Sequence, residues 1–398
     1  MYVGSDSNEQ VVEFRSICPE LRTSGTSDPS WSKNVDDGKQ RGALRKRKRN
    51  TETMQTIETE DFHTAGEPYR IVTSGTPVPE GTTVLDRRDW AEHHLDNVRA
   101  FLVNEPRGHG DMYGCFITPP DAPDALGTGA FGMVFFHKDG FSTACGHGTI
   151  AGTTWALNVG LIPPTVPVTR SLVDVPSGRL RVEADVAIDE STGSVNVGEV
   201  RFENVPSFVS ATALRVHAAG RDITVDVSYG GAFYASADVA QLGVDITPDN
   251  LALLIDVGRA IKWAINEQQA CRHPVDPRLS GCYGTIWYQA LGERTDGSLH
   301  QRNVTIFADG EVDRSPCGSG SSARLALLDH HGTLRRGQHL HHESVIGSTF
   351  TGQVLGDGPA VGHFATVRTV IGGRAHRTGY HRFVLDPADA VGLGFQLR

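Results

Sequence analysis

The sequence predicts an α+β protein built from two related halves. Three observations carry this reading. Short β-branched and aromatic runs separated by turn residues recur along most of the chain, few segments read as helices, and one cysteine motif occurs twice. Cys145 is followed by Gly146, His147 and Gly148, and Cys317 by Gly318, Ser319 and Gly320. Both copies add an alanine at +6 (Ala151, Ala323) and a glycine at +15 (Gly160, Gly332), and they stand 172 residues apart. Agreement at this many offsets predicts one thiol presented by each half.

The elements follow in chain order. Residues 1 to 55 are rich in Ser, Asp, Lys and Arg without apolar periodicity, which predicts a disordered extension. The basic run Arg45 to Arg49 inside it is read as a solvated tail over a nuclear-import signal, since nearby Asp and Glu offset its charge. Met54 is an alternative start of the folded chain. The first structured segment runs from Thr56 to Thr73, and strands are expected at Tyr69–Thr73, Gly132–His137, Leu180–Ala184, Ser194–Val197 and Asn303–Phe307. Helices are expected at Asp89–Leu102, Gly148–Val159, Ile246–Ile265 and Ser321–His330. The proline-bearing stretch Ile117–Thr128 and Asn204–Pro206 read as connections, and the boundary between halves is placed near residue 200, giving 56–200 and 201–367.

Composition bounds the function. At 398 residues and 38% hydrophobic content the chain can bury a large core. Its formal charge of −10 gives no general attraction to nucleic acid or an anionic membrane. No run approaches the roughly 18 apolar residues of a membrane span, and the N-terminus lacks a secretory apolar core. The cytoplasm is the expected location. Six scattered cysteines are too few for a disulfide framework and read as reduced thiols, each by default a small buried hydrophobe.

The two motif cysteines depart from that default. Each precedes a glycine-rich turn into an apolar helix, Ile150–Leu157 or Ala323–Leu328, which Gly160 or Gly332 terminates. A cysteine at a helix N-terminus meets unpaired N–H groups and the positive end of the dipole, so one thiol is expected to fall toward neutrality and serve as a base while its partner stays protonated. The same amides can dock a carboxylate, with glycine at +1 and +3 allowing close approach. Two such thiols facing one carbon would invert it without a cofactor. Asp313 and His147 are candidates to hold a substrate ammonium. Cys145 and His147 as a metal site lack a companion pair at zinc spacing, so no metal is expected. No phosphate-binding loop or dinucleotide fingerprint is present.

At these residues the chain resembles the proline racemase family, which includes hydroxyproline 2-epimerases and trans-3-hydroxy-L-proline dehydratases. The resemblance runs from about Asp61 to the C-terminus. It rests on His63-Thr-Ala-Gly-Glu-Pro68 with Arg70, Asn104-Glu-Pro-Arg-Gly-His109 with Asp111-Met112, both cysteine loops, Tyr229-Gly-Gly-Ala-Phe233, His273-Pro274, Asp313-Arg-Ser-Pro, and Glu343 to Gly352. It implies a diaminopimelate-epimerase-like fold of two similar lobes, each a curved sheet around a central helix, with the site in the cleft and the segment from about 368 to 398 returning to the first lobe. It further implies Cys145 and Cys317 as the acid/base pair, His147 and Asp313 on the ring nitrogen, and the amides of Gly146, His147, Gly318 and Ser319 on the carboxylate. Phe307 resembles the aromatic that closes over the ring, or is a buried strand residue. The partner is a small imino acid, no cofactor is needed, and a homodimer is consistent with the family.

Two features of the resemblance diverge. Cys317 matches racemases and epimerases, whereas the dehydratases usually carry threonine there. Phe307 to Pro316, Pro277-Arg-Leu and Tyr283-Gly-Thr-Ile resemble the dehydratases. A two-thiol racemase or 2-epimerase of proline or hydroxyproline is the first reading, a dehydratase using Cys145 the second, and a catalytically idle imino-acid-binding protein the third.

Overall fold

The computed structural model describes residues 55–123, 127 and 129–397. The N-terminal extension, its basic run and part of the proline-bearing loop lie outside the described residues. Within them, the predominance of strands follows the sequence reading.

The first half begins with a hairpin of β1 (Gln55–Thr64) and β2 (Glu67–Ser74), continues through α1 (Val84–His94) and α2 (Asp96–Val103), and returns as β3 (Tyr113–Thr118) parallel to β2. Next come β4 (Ala130–His137), antiparallel to β3, a two-residue strand β5 (Gly140–Phe141), α3 (Gly146–Asn158), and β6 (Val168–Val175) parallel to β4. The meander closes with β7 (Gly178–Ile188) and β8 (Val195–Glu203).

The second half repeats this order. After β9 (Phe208–Ala218) come β10 (Arg221–Tyr229) and β11 (Phe233–Asp238), then α4 (Leu251–Asn266) crossing to β12 (Cys282–Glu293), parallel to β11. Then β13 (Leu299–Phe307), a short β14 (Glu311–Asp313) and α5 (Gly318–His330) lead to β15 (His339–Ser344), parallel to β13. The antiparallel strands β16 (Thr349–Val361) and β17 (Phe364–Gly373) follow, and β18 (Ala375–Leu385) runs back to pair with β1. Each cysteine helix is thus the crossover of a parallel pair. The corresponding strands β8 and β17 pair with each other, so the sheet is continuous from β18 to β9.

Both crossover helices are buried on every side. All residues from Gly146 to Leu157 and from Gly318 to Leu328 are buried, which is why neither shows a polar stripe. α3 packs against β1, β2, β8 and β18, and α5 against β9, β10, β16 and β17. Gly160 and Gly332 take φ of 75° and 66° just past the helix ends, the left-handed conformation that ends a helix.

Helix boundaries differ from expectation for local reasons. Both cysteine helices start at the +1 glycine, because glycine enters the first turn without obstruction. The single helix expected over Asp89–Leu102 is two. A capping box between Thr83 and Asp86 starts the first earlier, and Leu95, at φ −121° and ψ 10°, ends it before Asp96 starts the next. Pro248 lies in a 3-10 turn, so α4 begins at Leu251 rather than at Ile246. No helix among the described residues is long and apolar enough to cross a membrane.

Candidate active site

The two cysteine helices meet at their N-terminal tips. A Cβ built on Gly146 would lie 2.4 Å from Gly318 Cα, and one built on Gly318 would lie 2.5 Å from Gly146 Cα. The +1 glycines therefore face one another. At +3, a Cβ on Gly148 would lie 2.7 Å from Cys145 Sγ, and one on Gly320 would lie 2.8 Å from Cys317 Sγ. These glycines leave room for the thiol beside its own helix, and Gly148 also clears the Tyr69 ring, which a Cβ would meet at 2.5 Å.

Around this junction one small cavity, about 10 Å³, is lined by Cys145, Gly146, His147, Phe307, Asp313, Cys317 and Ser319. Of the predicted site residues only Gly318 is not among its walls, and it sits at the helix contact itself. Tyr113, Ala144, Tyr234 and Tyr283 complete the lining. The tyrosines were not legible as site residues, because an aromatic in a strand reads as core. Phe307 ends β13, is 2% exposed, and stacks on Tyr283 with ring centroids 5.6 Å apart. It is at once a buried strand residue and a cavity wall.

Cys145 is the N-cap of α3, and its Sγ accepts the Gly148 N–H at 3.2 Å and lies 3.3 Å from His147 Nε2. Cys317 occupies the left-handed region at φ 63°, a conformation that favours glycine. Neighbouring bonds hold it there: its N–H donates to Ser315 Oγ at 3.1 Å, and Pro316 O accepts from Asn303 Nδ2 at 2.8 Å and from Ser321 Oγ at 3.1 Å. Its Sγ lies 3.7 Å from the Tyr234 hydroxyl, which also meets Ser319 Oγ at 2.7 Å.

Asp313 accepts the Ser315 N–H at 2.8 Å and its hydroxyl at 2.7 Å, and faces His147 Nδ1 at 3.9 Å. Motif residues hold the segment carrying it. Glu67 accepts the Arg314 N–H at 2.7 Å, while Asp111 accepts the Val312 N–H at 3.1 Å and the Arg314 guanidinium at 2.8 Å. Arg70, by contrast, pairs with Asp61 at 2.7 Å and bonds Leu102 O, away from the thiols.

Burial dominates the electrostatics. It pushes both thiols well above the usual range, outweighing the Gly148 amide at Cys145, and the nearby Asp313 carboxyl raises both further. The expected fall of one thiol toward neutrality does not occur in this closed site. Burial lowers His147 to about 3, leaving it neutral, and raises Asp313 to about 6 against the bonds from Ser315. Among the described residues no three His, Cys, Asp or Glu side chains group to hold a metal ion.

Comparison with known proteins gives the family. The sequence matches the proline racemase family over residues 60–396. It is 41% identical over 337 residues to a trans-3-hydroxy-L-proline dehydratase of Bacillus cereus, covering 85% of this chain and 97% of that one. It is 39% identical over 345 residues to a 3-hydroxyproline 2-epimerase of Burkholderia multivorans, covering 86% and 99%. The fold superposes on the crystal structure of a hydroxyproline epimerase from Agrobacterium vitis with bound trans-4-hydroxy-L-proline, with a TM-score of 0.77, 31% identity, and coverage of 86% of this chain and 96% of that one. The chain is an enzyme of the proline racemase family.

Proposed function

We propose that this chain is a cofactor-independent 2-epimerase of hydroxyproline, working with two thiols in the cleft between two lobes. Each lobe would be a curved sheet wrapped around its cysteine helix. The observation that carries the reading is that Cys145 and Cys317 line one cavity at the touching tips of α3 and α5. The first-turn amides of Gly146, His147, Gly318 and Ser319 would take the substrate carboxylate, since such N–H groups have no partner within their own helix. The ionised Asp313 accepts from the ring ammonium, and neutral His147 beside it accepts a second N–H. This leaves the α-carbon between the sulfurs. One thiolate removes the α-proton, and the opposite thiol donates its own proton to the other face, so the proton count is unchanged and the configuration inverts. The substrate's positive nitrogen favours the thiolate that burial otherwise disfavours.

A hydroxylated ring is preferred to plain proline because the remaining wall carries hydroxyls: Tyr113 meets Tyr283 at 2.9 Å and also bonds Ser142. The same wall supports dehydration as a second reading. There, Cys145 removes the α-proton and a tyrosine hydroxyl protonates the departing 3-hydroxyl, with loss of water and formation of an enamine that tautomerises to the ketimine. Incubation of trans-3-hydroxy-L-proline with the Cys317→Ser variant separates the two. Epimerisation is expected to vanish, and a ketimine formed at the wild-type rate would overturn the first reading.

A further inference from the structure

Cys271 and Cys282 belong neither to the repeated motif nor to the thiol cavity, yet they stand across the base of one loop from each other. Cys271 closes a 3-10 turn, Gln269–Cys271, and Cys282 opens β12. The loop between them is pinched at its base, where the Gly281 N–H donates to Cys271 O at 2.8 Å. That bond sets Cys282, the next residue, across the base from Cys271, and the Cys282 thiol donates to Gly284 O at 3.5 Å. Asn266 fixes Cys282 from the far side, accepting its N–H at 2.7 Å and donating to its carbonyl at 3.3 Å.

An open cleft of about 580 Å³ reaches this point, with Cys282, Lys262, Ser142 and Tyr283 among its walls. Cys271 lies behind Cys282 and does not line it. The neighbouring Cys271 thiol, assisted by the Lys262 ammonium, holds the Cys282 thiol below the usual range, whereas Cys271 is raised by Cys282 and by burial. The arrangement gives one reactive sulfur on the cleft and one resolving sulfur behind it.

We propose that Cys271 and Cys282 form a peroxide-reactive dithiol that closes to a disulfide at the rim of this cleft. Cys282 Sγ attacks one oxygen of a hydroperoxide, the O–O bond breaks, and Cys282 becomes a sulfenic acid as water or an alcohol departs. Cys271 Sγ then attacks the Cys282 sulfur, the S–S bond forms, the S–O bond breaks, and the hydroxyl leaves as water with the Cys271 proton. Two electrons pass from the sulfurs to the peroxide. The cross-link would fasten the base of the loop whose Arg278 reaches Asp86 at 2.9 Å and Asp89 at 3.3 Å on α1, next to Tyr283 of the thiol cavity.

The test is peptide mapping of the full wild-type chain after stoichiometric hydrogen peroxide and alkylation. Trypsin cuts after Arg272 and Arg278, so the disulfide appears as a cross-linked pair of peptides, one carrying Cys271 and the other Cys282, that separates on reduction. In a Cys271→Ser variant, dimedone should label Cys282 ahead of Cys115, a core thiol that burial raises to about 12. Recovery of both thiols fully alkylated while Cys115 or the motif cysteines oxidise would overturn the proposal. So would a cross-link between either cysteine and another partner.

Discussion

At the residue scale, the roles proposed for the two thiols rest on position, not on acidity. Serine in place of either keeps the size and loses the acid/base capacity. Cys145→Ser and Cys317→Ser are each expected to reduce epimerisation by at least about a hundredfold, the lower end of what a positioned proton-transfer group contributes. Chiral analysis of the product checks this. In the proposed mechanism Asp313 would set an acid limb of the pH profile. Burial raises its carboxyl to about 6, so below that pH it carries a proton and cannot accept from a ring ammonium. Because both thiols are held high, kcat/KM is expected to rise with pH above 6 as the thiolate forms, and to fall more steeply below 6, by about a further tenfold per pH unit; a profile with no break near 6 would remove Asp313 from this role. That Cys145, Cys317, His147 and Asp313 line one cavity was legible because glycine-rich helix starts mark themselves in sequence. Tyr113, Tyr234 and Tyr283 were not, since only the fold turns those strand aromatics toward the thiols.

At the scale of the element, the tip-to-tip contact of α3 and α5 fixes the distance between the sulfurs. It depends on two positions without a Cβ. Gly146→Ala or Gly318→Ala must part the tips, because the obstruction is backbone that no rotamer change can clear. A loss of about 1–3 kcal/mol is expected, the usual range for overpacking, with a fall in kcat larger than stability alone explains. Denaturant unfolding together with steady-state kinetics checks both. The capping box of α1 gives a contrasting case far from the thiols: Thr83→Ala should cost about 1 kcal/mol and leave kcat unchanged. The cysteine helices and their C-terminal glycines could be read from the sequence. The break at Leu95 could not, because an apolar residue carries no signal that it ends a helix.

At the scale of the whole molecule, the repeat seen in ten or so motif letters extends to the order of the elements. In each half a parallel crossover, an antiparallel pair and a short strand precede the cysteine helix. Sequence showed the repeat only at the cysteine loops, since strands that pack against different neighbours keep their geometry and not their letters. What joins the halves near the thiols is the segment from Val312 to Arg314, gripped by Glu67 and Asp111 of the first half. Asp111→Ala removes acceptors for a backbone N–H and a guanidinium at once. It is expected to cost about 2–3 kcal/mol and to lower kcat by misplacing Asp313 and Cys317, which thermal unfolding and kinetics measure together. A cavity of about 10 Å³ holds roughly one water, so an imino acid enters only as the surrounding walls move apart. The most direct measurement of the central claim is proton NMR of the protein in D₂O with L-proline, trans-4-hydroxy-L-proline and trans-3-hydroxy-L-proline in turn. The account predicts deuterium at the α-carbon of a hydroxyproline together with a D-configured product that keeps its hydroxyl. Loss of the 3-hydroxyl without any D-configured product, or no exchange with any of the three, would contradict it.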